Sequence, residues 1–286
     1  MPEIAEHNAT MDAPAVMRGG RAASPEPLPV FWRSAPVPAG ATPPLYLHGV
    51  PSSSSEWTSF LERTGGLAPD LPGFGRTGKP GYLRYTIDEY DGWLERWLDR
   101  LEVERVSMVV HDWGAVGLAF AQRCPERIER LAIINAVPLL PGYRWHRTAR
   151  MWRTPGLGEL VMGTTNRFTL RLISRESNAT PGPMPDSWID DVLAHFDQGT
   201  QRAILRLYRS SPSRVLAAAG LGLRDLDVPA LVLWGLRDPY IPARFAREYA
   251  QALARAELVE LPDAGHWPWL DRPDVVDRLA DFLSAA

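Results

Sequence analysis

Short apolar runs alternate with stretches of helical spacing from Leu28 to the C-terminus, and that alternation leaves few folds open. Pro44 to Leu47, Leu67 to Leu71, Val106 to Val110, Leu131 to Ile134, Ala230 to Trp234 and Leu258 to Leu261 are too short for helices and read as strands. Between them, Trp57 to Leu61, Ile87 to Leu101, Ala115 to Arg123, Ala243 to Ala254 and Val275 to Leu283 repeat apolar residues at helical spacing, with Thr86 placed to cap the second of these. Strands this apolar need cover on both faces, so the pattern predicts an α/β fold: a mostly parallel sheet with helices on either side. Residues 139–218 break the rhythm with helical pieces and Pro-Gly punctuation, and are predicted to be an inserted helical cap over a core of residues 28–138 and 219–286. Residues 1–27 show no apolar period and are predicted to be a mobile arm.

Composition narrows the function classes. A net charge of −3 and a pI of about 6.1 supply no basic footprint for nucleic acid or anionic membrane. The single cysteine, Cys124, rules out an intrachain disulfide. No signal-peptide core and no long apolar run occur, so the expectation is a cytoplasmic protein that does not engage a membrane. Lys79 is the only lysine among 31 basic residues.

The chemistry concentrates where the strand Val106 to Val110 runs through His111-Asp112-Trp113-Gly114 into a helix. Such a sharp strand-to-helix turn lifts its central residue, Asp112, out of the sheet. An isolated Asp there would be a helix cap, but Asp238 follows the strand Ala230 to Trp234 and His266 follows the strand Leu258 to Leu261. In a parallel sheet the carboxyl ends of strands share one edge, so the three residues can converge as nucleophile, acid and base. The alternatives are a metal hydrolase built on His48, His111 and these residues, for which no ligand spacing speaks, and a catalytically silent binding protein, which usually loses one of the set.

With these segments in hand the chain resembles the α/β-hydrolase superfamily, in its epoxide hydrolase and haloalkane dehalogenase branch. The resemblance rests on His48-Gly49-Val50-Pro51, Asp70-Leu71-Pro72-Gly73-Phe74-Gly75, His111-Asp112-Trp113-Gly114, Asp238 and Gly265-His266, and covers about Leu28 to the end. It implies an α/β-hydrolase fold with a cap, no cofactor and no metal. Asp112 attacks a saturated carbon, and His266, oriented by Asp238, activates the water that hydrolyses the resulting ester. The backbone N–H groups of Val50 and Trp113 form the oxyanion hole. Asn135 stands where some relatives keep the acid, and an amide cannot carry that charge. Val110 departs from the family's glycine at the first elbow position, and His48 and His111 are expected to brace loops.

The leaving group divides the branch. Many dehalogenases place Asn at the third position of the His-Gly-x-Pro segment, and Val50 has no side-chain donor there, although Trp145, Trp152 or Trp188 could serve a halide. Epoxide hydrolases use two cap donors, and Arg206-Leu207-Tyr208-Arg209 resembles the segment of the second. His146 is the expected first donor, with Tyr143 as its alternative. Trp145, Trp152, Phe168, Trp188 and Phe196 suit an apolar or aromatic substrate. The sequence reading is therefore an epoxide hydrolase forming a vicinal diol from a small apolar or aromatic epoxide and water, a haloalkane dehalogenase being the alternative. It admits a homodimer.

Overall fold

The computed structural model describes residues 3–12, 16–18, 21–23 and 26–285. Its strands are β1 (Ala5–Met11), β2 (Val16–Arg18), β3 (Arg21–Ala23), β4 (Leu28–Ala35), β5 (Pro44–Leu47), β6 (Gly66–Pro69), β7 (Val106–Asp112), β8 (Ile128–Ala136), β9 (Ala230–Gly235) and β10 (Ala256–Leu261). Its helices are α1 (Thr58–Thr64), α2 (Ile87–Arg100), α3 (Gly117–Arg123), α4 (Arg147–Arg153), α5 (Leu157–Gly163), α6 (Arg167–Ile173), α7 (Asp186–His195), α8 (Gln198–Ser210), α9 (Ser213–Ala219), α10 (Arg244–Ala252), α11 (Pro268–Asp271) and α12 (Asp274–Ser284).

Eight strands form one sheet in the order β1-β4-β6-β5-β7-β8-β9-β10. The first two pairings are antiparallel and the rest parallel. This is the α/β-hydrolase fold. Its strands are apolar throughout because both faces are covered: Val106, Met108 and Val110 of β7 belong to one core, and Val109, between them, to the other. Helix α2 buries Ile87, Tyr90, Trp93, Leu94, Trp97 and Leu98 on the first face, and its start is fixed by a reciprocal cap between Thr86 and Glu89. Helices α1 and α12 cover the other face with Phe60, Leu61, Val275 and Leu279. No helix among the described residues is long and apolar enough to cross a membrane.

The N-terminal expectation is corrected. Residues 5–11 pair residue for residue with β4, Ala5 opposite Ser34 through Met11 opposite Leu28, so the sheet begins well before Leu28. Side-chain burial along β1 is slight, which is why no apolar period announced it; its backbone hydrogen bonds and the Glu6 ion pairs with Arg33 and Arg76 hold it instead. Farther along the expected arm β2 pairs with β3, and residues 1–2, 13–15, 19–20 and 24–25 lie outside the described residues.

Helices α4 to α9 fall between β8 and β9, the sixth and seventh strands of the large sheet. They are tied to the core at several points. Asp191 accepts from Ser53 and Ser55 Oγ, both at 2.7 Å, and Thr200 donates to the Gly73 carbonyl at 3.0 Å. Lys79 donates from the core to the His195 carbonyl at 2.7 Å and to Asp197 at 2.9 Å.

Candidate active site

Strand β5 lies between β6 and β7, so consecutive connections leave it toward opposite sides of the sheet, and the crevice at its carboxyl end is where such sheets bind ligands. Asp112 stands at the end of β7 with φ 45° and ψ −118°, a conformation that costs a non-glycine residue energy and marks a strained turn. Two glycines make room for it. A Cβ on Gly49 would lie 2.6 Å from the Asp112 Cβ, and one on Gly114 would lie 2.0 Å from the Leu47 carbonyl oxygen. Val110 is no strain at all: it is a fully buried strand residue paired with Leu47 and Ile133, two positions before the turn.

The carboxylate of Asp112 is oriented by the Val50 N–H, which donates to Oδ1 at 2.8 Å across the gap from the loop after β5. Its other oxygen, Oδ2, faces His266 Nε2 at 3.6 Å. Burial raises the Asp112 carboxyl above the usual range, and His266, His111 and the Val50 and Trp113 N–H groups oppose that rise. His266 Nδ1 meets Asp238 Oδ2 at 2.7 Å. The same oxygen accepts from Asn135 Nδ2 at 2.8 Å, while Oδ1 accepts from the N–H of Tyr240 at 2.7 Å and of Ile241 at 3.0 Å. Burial alone would raise Asp238, but His266 and these donors overcome it and hold the carboxyl below its usual value. The reciprocal holds for His266: burial disfavours its charged form, yet Asp238 and Asp112 raise it above the ordinary histidine value.

Asn135, dismissed as an acid on sequence grounds, is part of the site as a holder. It sits in a left-handed conformation at φ 37°, accepts the Gly235 N–H at 2.8 Å, and aims its amide at Asp238. His48 braces the first loops, accepting the Leu71 N–H on Nε2 at 2.9 Å and donating from Nδ1 to the Gly49 carbonyl at 2.8 Å.

A cavity of about 80 Å³ opens over Asp112, bordered by Val50, His146, Trp188, Tyr208, Tyr240 and His266 among others. Tyr208 reaches it from α8, its ring edge-on to Trp113 at 5.2 Å, and burial together with the Asp112 charge raises its phenol well above the usual value. His146 caps α4, its Nδ1 accepting the Ala149 N–H at 3.4 Å, so the ring proton sits on Nε2. Burial, then the neighbouring His266, lowers His146 to about 4, which keeps the imidazole neutral. Tyr143, the alternative donor, is placed otherwise: it donates to the Tyr240 carbonyl at 3.4 Å and is not among the cavity's bordering residues. Trp145 gives its N–H to the Ser211 carbonyl at 3.0 Å. Trp188 and Trp113 keep theirs: among the described residues neither buried indole nitrogen has a hydrogen-bond partner, and of the two only Trp188 borders the cavity. Tyr240, which no motif singled out, stands between the two histidines, 5.0 Å from the His146 ring and 5.1 Å from that of His266.

Fold, elbow and triad order together define an α/β-hydrolase with an aspartate where esterases carry serine. Residues 45–279 match the model of the alpha/beta hydrolase family. The chain is 29% identical over 273 residues to a haloalkane dehalogenase of Mesorhizobium japonicum, covering 86% of each. It is 29% identical over 264 residues to a cis-3-alkyl-4-alkyloxetan-2-one decarboxylase of Shewanella oneidensis, covering 85% of this chain and 82% of that one. In fold it is similar to the haloalkane dehalogenase of Bradyrhizobium elkani, with a TM-score of 0.79 at 24% identity over 99% of this chain and 98% of the other. The chain belongs to the alpha/beta hydrolase family, in its epoxide hydrolase and haloalkane dehalogenase branch.

Proposed function

We propose that the protein is a haloalkane dehalogenase-type hydrolase in which Asp112 displaces halide from an alkyl carbon. The observation that carries this reading is the buried indole N–H of Trp188 on the cavity wall, which has no hydrogen-bond partner among the described residues. Leaving a buried donor unpaired costs about 1–3 kcal/mol, and a halide departing from the substrate is an acceptor that would recover it. The other buried indoles without partners among the described residues, Trp57, Trp93, Trp97, Trp113 and Trp234, do not border this cavity. Haloalkane dehalogenases among the relatives support the same choice over the epoxide reading drawn from sequence.

The reaction then runs in two displacements. Oδ2 of Asp112, the oxygen not held by Val50, attacks carbon as the carbon–halogen bond breaks, giving an alkyl ester and a halide ion. His266 takes a proton from water, the hydroxide adds to the ester carbonyl, and the oxyanion gathers on Oδ1 against the Val50 and Trp113 N–H groups. Collapse releases the alcohol and restores the carboxylate, so halide, alcohol and one proton leave for each water consumed. Asp238 keeps the Nδ1 proton in place and balances the imidazolium.

Epoxide hydrolysis is the second reading, favoured by one observation: the Tyr208 hydroxyl and the neutral His146 face the same cavity as Asp112 and could protonate an epoxide oxygen as its ring opens. A paired turnover assay separates the two, using 1-bromobutane and styrene oxide with Asp112→Ala as the blank. Free bromide without diol supports dehalogenation; diol without bromide overturns it and assigns the site to Tyr208 and His146.

A further inference from the structure

The mechanism leaves two buried carboxylates unused, Asp70 and Glu56, and of these Glu56 is bonded to the histidine beside Asp112. Glu56 lies in the turn Ser54–Trp57, its side chain 1% exposed, and four donors converge on it. Oε1 faces the Gly49 N–H at 3.1 Å and His111 Nδ1 at 3.3 Å; Oε2 accepts from the Ser52 hydroxyl and from Trp267 Nε1 at 3.3 Å. His111, itself wholly buried, donates from Nε2 to the carbonyl of His266 at 2.9 Å.

We propose that Glu56 and His111 are positioning residues for the hydrolytic half of the reaction, a second buried charge pair that locks the His266 loop to the loop of the oxyanion hole. The proton inventory follows from the bonds. His111 must carry a proton on Nε2 to reach the His266 carbonyl, and a Glu56 surrounded by donors has no use for a proton of its own. The shared proton therefore sits on His111 Nδ1, and the pair is imidazolium against carboxylate. Its bonds run to three places that must keep register: Gly49, whose neighbour Val50 holds Asp112; His111, whose neighbour is Asp112; and His266 with Trp267. Burial works against the Glu56 charge, but His111 and Ser52 outweigh it and hold the carboxyl below its usual value. Trp267 at 5.5 Å and Trp269 at 4.8 Å lie against the wholly buried His111 ring, so breaking the pair leaves a buried charge uncompensated.

Only the kinetic part of the test rests on the reaction proposed above. In the absence of substrate, ¹H–¹⁵N spectra of the wild type should show His111 with both ring N–H groups near neutral pH. Glu56→Gln, which keeps the shape, should leave it with Nε2–H alone. A neutral His111 in the wild type overturns the pairing without needing any variant. In rapid-quench experiments with 1-bromobutane, Glu56→Gln should hydrolyse the aspartyl ester up to about 100-fold more slowly while forming it at a rate much closer to wild type, so the ester accumulates. Equal slowing of both steps, or of neither, overturns the positioning role. Should the wild type turn over neither 1-bromobutane nor styrene oxide, the reaction is misassigned, and the spectra alone decide the pair.

Discussion

In the proposed reaction the Asp112 side chain attacks, becomes an ester and is regenerated, and its two oxygens divide the work because only Oδ1 is held by Val50. Asp112→Ala should abolish halide or diol release altogether, measured by product assay. His266→Gln should still let the first step proceed, so intact-mass spectrometry should find the protein heavier by one alkyl group after incubation with substrate; an unmodified variant would argue against the ester route. The raised His266 value means that the ester-hydrolysis step should lose activity on acidification from above the ordinary histidine value of about 6.5, as the base becomes protonated. Asp112, Asp238 and His266 were readable in the sequence because each follows its own strand, so local pattern and chain order suffice. Glu56, Asn135 and Tyr240 were not, since they act through contacts far along the chain: Glu56 meets Trp267 across 211 residues, and Asn135 meets Asp238 across 103.

Elements differ in how openly the sequence declares them. Strands β5, β7 and β9 were plain because burial on both faces demands unbroken apolar runs, and α2 was plain from its spacing and its cap. Thr86→Ala should lower unfolding free energy by about 1 kcal/mol in urea titration, through loss of the cap at the start of α2, with little effect on turnover. Strand β1 was hidden because most of its side chains meet solvent and its contribution is backbone pairing along β4. Removing residues 1–12 should therefore lower the thermal midpoint by exposing β4 as the sheet edge; an unchanged midpoint would mean that β1 is dispensable for the fold.

For the molecule as a whole, the helical excursion between β8 and β9 joins stability to the site, because its own α4 is capped by a cavity residue. His146 falls from its unfolded value of 6.5 to about 4 when buried. The unfolded chain thus binds the proton more readily, and the stability that the neutral ring contributes is intact above about 6.5 and lost as the pH falls toward 4. That linkage is worth about 3 kcal/mol at full protonation, and His146→Gln should remove it, so the wild type's unfolding free energy should fall more steeply than the variant's between about pH 6.5 and 4 in chemical denaturation. The excursion is fastened to the core in part by Lys79, which reaches across to the His195 carbonyl and Asp197 with its side chain 13% exposed. Since the chain has no other lysine, an acylating reagent meets a single side-chain amine, and that amine is engaged in the seam. Its rate of labelling is then a clock for how often the seam parts, readable from one modified peptide without any engineered probe.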